Sequence, residues 1–239
     1  MKVYRLGWLT IRGGAGVMAV LAVVGTLAIG LAHEFTLNHL TLTPDLVIRR
    51  LELWQALTWL FIPLPSPLSV IIGILLILSL GGALEENRGT LGLWRLVLGI
   101  GVTTAFLTVL LSLLVPKLAG AVFTGLEVVT LILWVGYGLW FKRSIIRFWS
   151  LPITGYTFAA LGLAFSLLSG LFGSWVRIIP DLIAAGLTYL VVVQGFPGDV
   201  WTRLRSWQLN RELKKRSAHL RSLDGGRGGG DRGSDKYLH

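Results

Sequence analysis

Two carboxylates, Glu127 and Asp181, interrupt the apolar stretches of this chain, and any chemistry inside a membrane would start from them. An ionised group near a bilayer centre costs roughly 2.5–3.5 kcal/mol on insertion scales, so such residues face a partner or a cavity. Thr124 lies one turn before Glu127 on the same helical face, which puts a hydroxyl within reach of a carboxylate. Glu127 reads either as an internal polar contact or as a group for client recognition or ion-linked work; Thr103, Thr104 and Thr188 are its candidate partners. Asp181 follows Pro180 at a predicted helix start, with Arg177 four residues earlier. A carboxylate at a helix N-terminus is favourable by ~0.3–1 kcal/mol, so Asp181 reads as a cap with a local ion pair. Its functional alternative is a polar contact for an entering helix. The four histidines, His33, His39, His219 and His239, lie outside the apolar stretches. His33 and His39, with Glu34, lack the spacing of a helical zinc pair and read as surface or interfacial groups. Cysteine is absent, which excludes disulfides and thiolate chemistry. No cofactor and no metal is expected.

The elements that must position these groups follow from composition. The 239 residues are 54% hydrophobic and 14% charged, with mean hydropathy +0.71, which points to a polytopic membrane protein. A hydrocarbon core about 30 Å thick needs about 20 apolar residues of helix. Six runs qualify: about 14–32, 67–84, 94–114, 119–141, 153–172 and 179–196. No barrel-type alternation appears, so the expected fold is an all-α six-helix bundle. The first run lacks a small-x-small cleavage site before His33 and reads as a retained helix. With the N-terminus placed in the cytoplasm, 18 of the 22 Lys and Arg residues fall on the inner side, so both termini are expected there. That segregation argues against nucleic acid despite a net charge of +10. The expected location is a prokaryotic cytoplasmic membrane.

Segments 1–13 form a short inner terminus, 14–196 the membrane domain, 197–223 a juxtamembrane helix and 224–239 a Gly-rich tail that is expected to be disordered. The long outer connection, about 33–66, is rich in Leu and Trp and is expected to lie in the outer leaflet or along the bundle. Pro63, Pro65 and Pro67 should break the chain before the second span. Gly162, Ser166 and Gly170 form a small-residue series suited to close helix approach, within the chain or at a homodimer seam. Beyond Pro197, the residues Trp201, Leu204 and Trp207 share a face, and Lys214, Lys215 and Arg216 follow. This resembles an interfacial helix on anionic lipid headgroups, or a docking helix for a cytoplasmic partner.

From Pro44 to Gly101 the chain resembles the rhomboid intramembrane-protease family. The stretch "TPDLVIRRLELWQALTWLFIP" carries Trp54, Gln55 and Thr58 where rhomboids typically show a Trp-Arg-x-x-Thr-like segment, with Gln replacing Arg. "SLGGALEENRG" carries Gly81, Glu85 and Gly89, similar to the family's Gly-x-x-x-Glu turn. The resemblance implies a six-span rhomboid-like bundle, a serine nucleophile on the fourth helix, a histidine base on the sixth, and a His-x-x-x-Asn element on the second. By register the last two fall on Ser69 and Gly73, the serine slot on Ala119 or Thr124, and the histidine slot on Asp181. No Ser–His pair can form there. The implied protein is therefore a pseudoprotease, not an enzyme: a scaffold binding other transmembrane proteins, one form of which is an accessory subunit of a larger membrane complex. Its alternatives are an atypical protease using Thr124 and a small proton-linked transporter using Glu127. The transporter is the weaker of these, because no inverted repeat is evident.

Overall fold

The computed structural model describes residues 4–6, 9–11, 13–64, 66–148, 151–172 and 174–194. It is mostly helical. Helix α1 (Gly13–Leu31) is followed by a long connection holding α2 (His33–His39), α3 (Pro44–Arg50), α4 (Gln55–Thr58) and a 3-10 turn at Trp59–Phe61. Next come α5 (Pro67–Leu76), a π segment (Ile77–Gly81) and α6 (Gly82–Ser112). The chain continues through α7 (Pro116–Ala119), α8 (Leu126–Trp140), α9 (Gly155–Phe172) and α10 (Trp175–Gln194). Two antiparallel hairpins qualify the all-α expectation: β1 (Tyr4–Leu6) with β2 (Leu9–Ile11), and β3 (Ile145–Phe148) with β4 (Leu151–Thr154).

Among the described residues, three continuous helical stretches are long and apolar enough to cross a membrane: Gly13–Leu31, Pro67–Ser112 and Trp175–Gln194. The middle one, 46 residues long, would reach about 69 Å as a straight helix, more than twice a bilayer core. It is not straight. Gly89 has φ 73° and ψ 165°, a conformation that breaks the helix and that an L side chain rarely adopts. Two shorter apolar helices, Leu126–Trp140 and Gly155–Gly170, complete the apolar set.

Helix α8 is the hub, touching α5, α6, α9 and α10. Leu131, Val135 and Leu139 of α8 pack against Ala159 of α9 and Ala185 of α10. Membrane helices gain little from burying apolar surface against one another, so close backbone approach through small residues carries the packing. Gly138 fits this, since an added Cβ would lie 2.6 Å from the Gly155 carbonyl oxygen. The Gly162–Ser166–Gly170 series is used within the chain. Trp134 of α8 lies over Gly162 and Ile178 of α10 over Gly170, while Ser166 bonds to α10.

The conspicuous motif residues do structural work. Glu85 is 3% exposed and its carboxylate caps α1, accepting from the backbone N–H groups of Gly14 at 3.0 Å and Ala15 at 2.9 Å. Thr90 Oγ1 donates a third bond at 2.6 Å. The first amides of a helix have no partner of their own, and a carboxylate there also meets the positive end of the helix dipole. Trp54, Gln55 and Thr58 treat the other end of a helix in the same way. Their side chains donate to the carbonyls of His39, Asn38 and Leu40, the last turn of α2. Gln55, fully buried, also accepts from Thr43 N–H and donates to Glu52.

The sequence ranges require three corrections. The fourth apolar helix begins at Leu126, not near 119. Residues before it pair with the long connection instead: Phe123 bridges to Leu42, and Gly125 N–H donates to the carbonyls of Trp59 and Ile62. A Cβ on Gly125 would lie 2.7 Å from the Trp59 oxygen, so this crossing takes only glycine. The last helix starts at Trp175, about a turn earlier than expected, with Pro180 inside it. The connection between the fourth and fifth apolar runs folds as the β3–β4 hairpin.

Candidate functional site

The late start of α8 changes the standing of Glu127. It is the second residue of the helix, not a group buried a third of the way along it. There it benefits from the helix dipole. Its Oε1 accepts from Leu64 N–H and its Oε2 from Thr124 Oγ1, each at 3.3 Å. The expected hydroxyl partners lie elsewhere. Thr103 and Thr188 bond to carbonyls one turn back on their own helices, and the buried Thr104 Oγ1 has no partner.

Asp181 also departs from expectation. It lies in the second turn of α10 and is not a cap, and among the described residues no ion pair joins it to Arg177. Its Oδ2 accepts instead from Ser166 Oγ of α9 at 2.5 Å. Ser166 and the Leu64 amide are the hydrogen-bond donors to these carboxylates that sequence reasoning missed. Ser166 was visible only as one small residue in a packing series, and a backbone amide leaves no mark in a sequence.

These groups meet at the end of the bundle that carries the long connection. Thr124, Glu127, Ser169, Ser174, Arg177 and Asp181 line one cavity of about 80 Å³, enough for a few water molecules. Of the two serine-slot registers, Thr124 lines this cavity with Asp181, whereas Ala119 lies on α7 outside it. Thr124 hydrogen-bonds to Glu127 and not to Asp181. Ser69 spends its hydroxyl on the Ser66 carbonyl at 3.0 Å. Gly73 faces α8, where an added Cβ would sit 3.1 Å from Leu126. His33 and His39 begin and end α2, and His39 Nδ1 lies 3.5 Å from the buried Glu52. Among the described residues no third His, Asp or Glu joins Glu127 and Asp181 as a metal-ligand set.

From the cavity a half-buried stripe runs down α8: Glu127, Thr130, Trp134 and Tyr137, at helical spacing on one face. Most of the rest of α8 is buried. Trp134 is steadied by a bond to the Phe158 carbonyl at 2.9 Å and by the ring of Phe165. The amphipathic segment with Trp201, Leu204, Trp207, Lys214, Lys215 and Arg216 lies outside the described residues.

The fold defines a mostly helical protein with apolar helices compatible with an integral membrane protein. No family model matches the chain, and no curated protein matches it.

Proposed function

We propose that this protein is a non-catalytic, six-span, rhomboid-like membrane scaffold that holds transmembrane segments of other proteins, with both termini cytoplasmic. One form of this role is an accessory subunit of a larger membrane complex. The break at Gly89 supports the span count, since it leaves roughly twenty residues on each side. With the two shorter apolar helices that makes six. The observation that carries the docking role is the half-buried α8 stripe, whose flanking helices α5 and α9 expose Ile71 and Ile72, and Leu161 and Phe165. The long connection supports a membrane position. It buries Leu42, Trp59 and Leu60 together with the polar Gln55, Glu52 and Thr43, and still exposes Phe35, Ile48, Leu51, Trp54 and Leu57. Exposed apolar side chains on that scale suit a segment resting in the outer leaflet. The basic segment after Pro197 adds contacts to anionic headgroups.

A photo-crosslinking phenylalanine analogue at Phe165, expressed in the native membrane, tests the docking role. Discrete adducts with other membrane proteins are expected at this position and not at the lipid-facing Val20 of α1. A lone, monodisperse protein without position-specific adducts would refute the scaffold.

One observation favours a second reading, an atypical protease: the Thr124 hydroxyl is hydrogen-bonded to Glu127. At 3.3 Å and with a carboxylate as base, that pair is a weak nucleophile. Covalent labelling by a fluorophosphonate, lost in Thr124→Ala, would select it over the scaffold. Proton-coupled flux abolished by Glu127→Gln would select a transporter.

A further inference from the structure

We propose that the cavity between the start of α8 and the start of α10 receives a basic side chain, lysine or arginine, carried near the outer end of a transmembrane segment docked along the α8 stripe. This step rests on the scaffold reading and names the chemistry of its client. Glu127 and Asp181 arrive from different helices and line the same small space. Glu127 acts on Asp181 electrostatically. Two carboxylates that share a desolvated space repel unless a cation or a proton lies between them.

Their protein partners meet only part of their acceptor capacity. Two carboxylates offer about eight lone-pair sites, and here they accept from Leu64 N–H, Thr124 and Ser166, with the amide of Glu127 also turned to its own carboxylate. Arg177 lines the cavity and acts on Glu127, yet it is exposed and closes no ion pair with either carboxylate. One exposed guanidinium against two enclosed carboxylates leaves the cavity acidic. An apolar client would cover these charges without pairing them, and an acidic one would add repulsion. A bare divalent ion lacks a third protein carboxylate or imidazole among the described residues. A lysine ammonium is about the size of one water molecule, and its flexible stem can cross apolar surface before presenting the charge. The stripe and the cavity lie in line along α8, so one helix could fill the first and place its terminal lysine in the second.

The test uses the full-length protein in phosphatidylcholine vesicles. Labelled single-span Leu/Ala peptides carry Lys, Gln, Glu or Leu at one position near the outer interface, and binding is read by energy transfer. The Lys peptide should bind about tenfold more tightly than its Gln counterpart, a difference of ~1.4 kcal/mol. That advantage should shrink in Glu127→Gln or Asp181→Asn and vanish in the double variant, with the Leu peptide unaffected as a check on folding. Equal binding of the Lys, Gln and Leu peptides, with crosslinks at Phe165 retained, overturns the charge preference and leaves the scaffold standing. No crosslink by any peptide overturns both. A lysine preference that survives in the double variant places the recognition elsewhere and also overturns it.

Discussion

Replacing Glu85 by alanine should destabilise this protein more than any other single carboxylate removal among the described residues. The carboxylate is nearly inaccessible to solvent and accepts from two backbone amides and one hydroxyl. Its removal strands the N–H groups of Gly14 and Ala15, and an orphaned buried donor costs about 1–3 kcal/mol. Partial access of water to the end of α1 brings the expected total to about 3 kcal/mol. At about 2–4 °C per kcal/mol for a chain of this size, the apparent Tm in detergent should fall by about 6–12 °C. Glu85→Gln keeps one acceptor oxygen and should lose about half as much. Gly14→Ala attacks the same cap from the other side, because its Cβ would lie 2.8 Å from Thr90 Cγ2 and 3.0 Å from Glu85 Oε1. Two changes that break one cap should not add, so the double variant should lie close to Glu85→Ala alone. Thermal unfolding of the parent and the four variants in one detergent supplies the measurement. A Glu85→Ala protein within 2 °C of the parent (about 1 kcal/mol), or strict additivity with Gly14→Ala, would refute the capping role.

Gln55→Leu should destabilise the long connection by about 2–4 kcal/mol, since it strands Thr43 N–H, the Asn38 carbonyl and buried Glu52 together; proteolysis within residues 33–66 should accelerate, and unchanged cleavage would count against it. Thr104→Val should stabilise by about 1 kcal/mol, because it replaces a fully buried, unpartnered hydroxyl with a methyl group of similar shape; a lower Tm would point to a partner for that hydroxyl. Gly138→Val should force α8 and α9 apart where a Cβ already meets the Gly155 oxygen and Ala159, at a cost of about 1–3 kcal/mol or more. Loss of the Trp134 fluorescence environment at constant helix content would report the separation.

Much of the helical framework is legible in the sequence because hydrocarbon thickness sets a length that apolar runs either meet or fail. The first, second, third and fifth apolar runs have helices within a few residues of their expected ranges. The failures share a cause. The stretch before Leu126 is apolar enough to be helix, yet its amides and carbonyls are taken by Leu42, Trp59 and Ile62, residues at least 60 positions earlier. Hydropathy cannot register a competing partner at that distance. Pro180 misled in the opposite direction, since the residue best known for starting or breaking helices sits inside α10.

The two carboxylates that drew attention by their cost inside a membrane turn out to have local reasons to be where they are. Glu127 begins a helix, and Asp181 binds a serine on the next one. Neither reason accounts for both of them lining the same cavity with a threonine, two further serines and an arginine. Each could be satisfied in isolation on its own helix. A fold selected only for stability would gain by separating them, because proximity adds repulsion that their hydrogen bonds do not remove. Glu85 marks the contrast. More deeply buried, it spends three hydrogen bonds on holding the start of one helix. A carboxylate bonded to one helix end is architecture, whereas two from different helices that line one cavity can meet the same cation. That difference makes the Glu127–Asp181 cavity, and not the more conspicuous Glu85 motif, the place where the proposed scaffold would discriminate among clients.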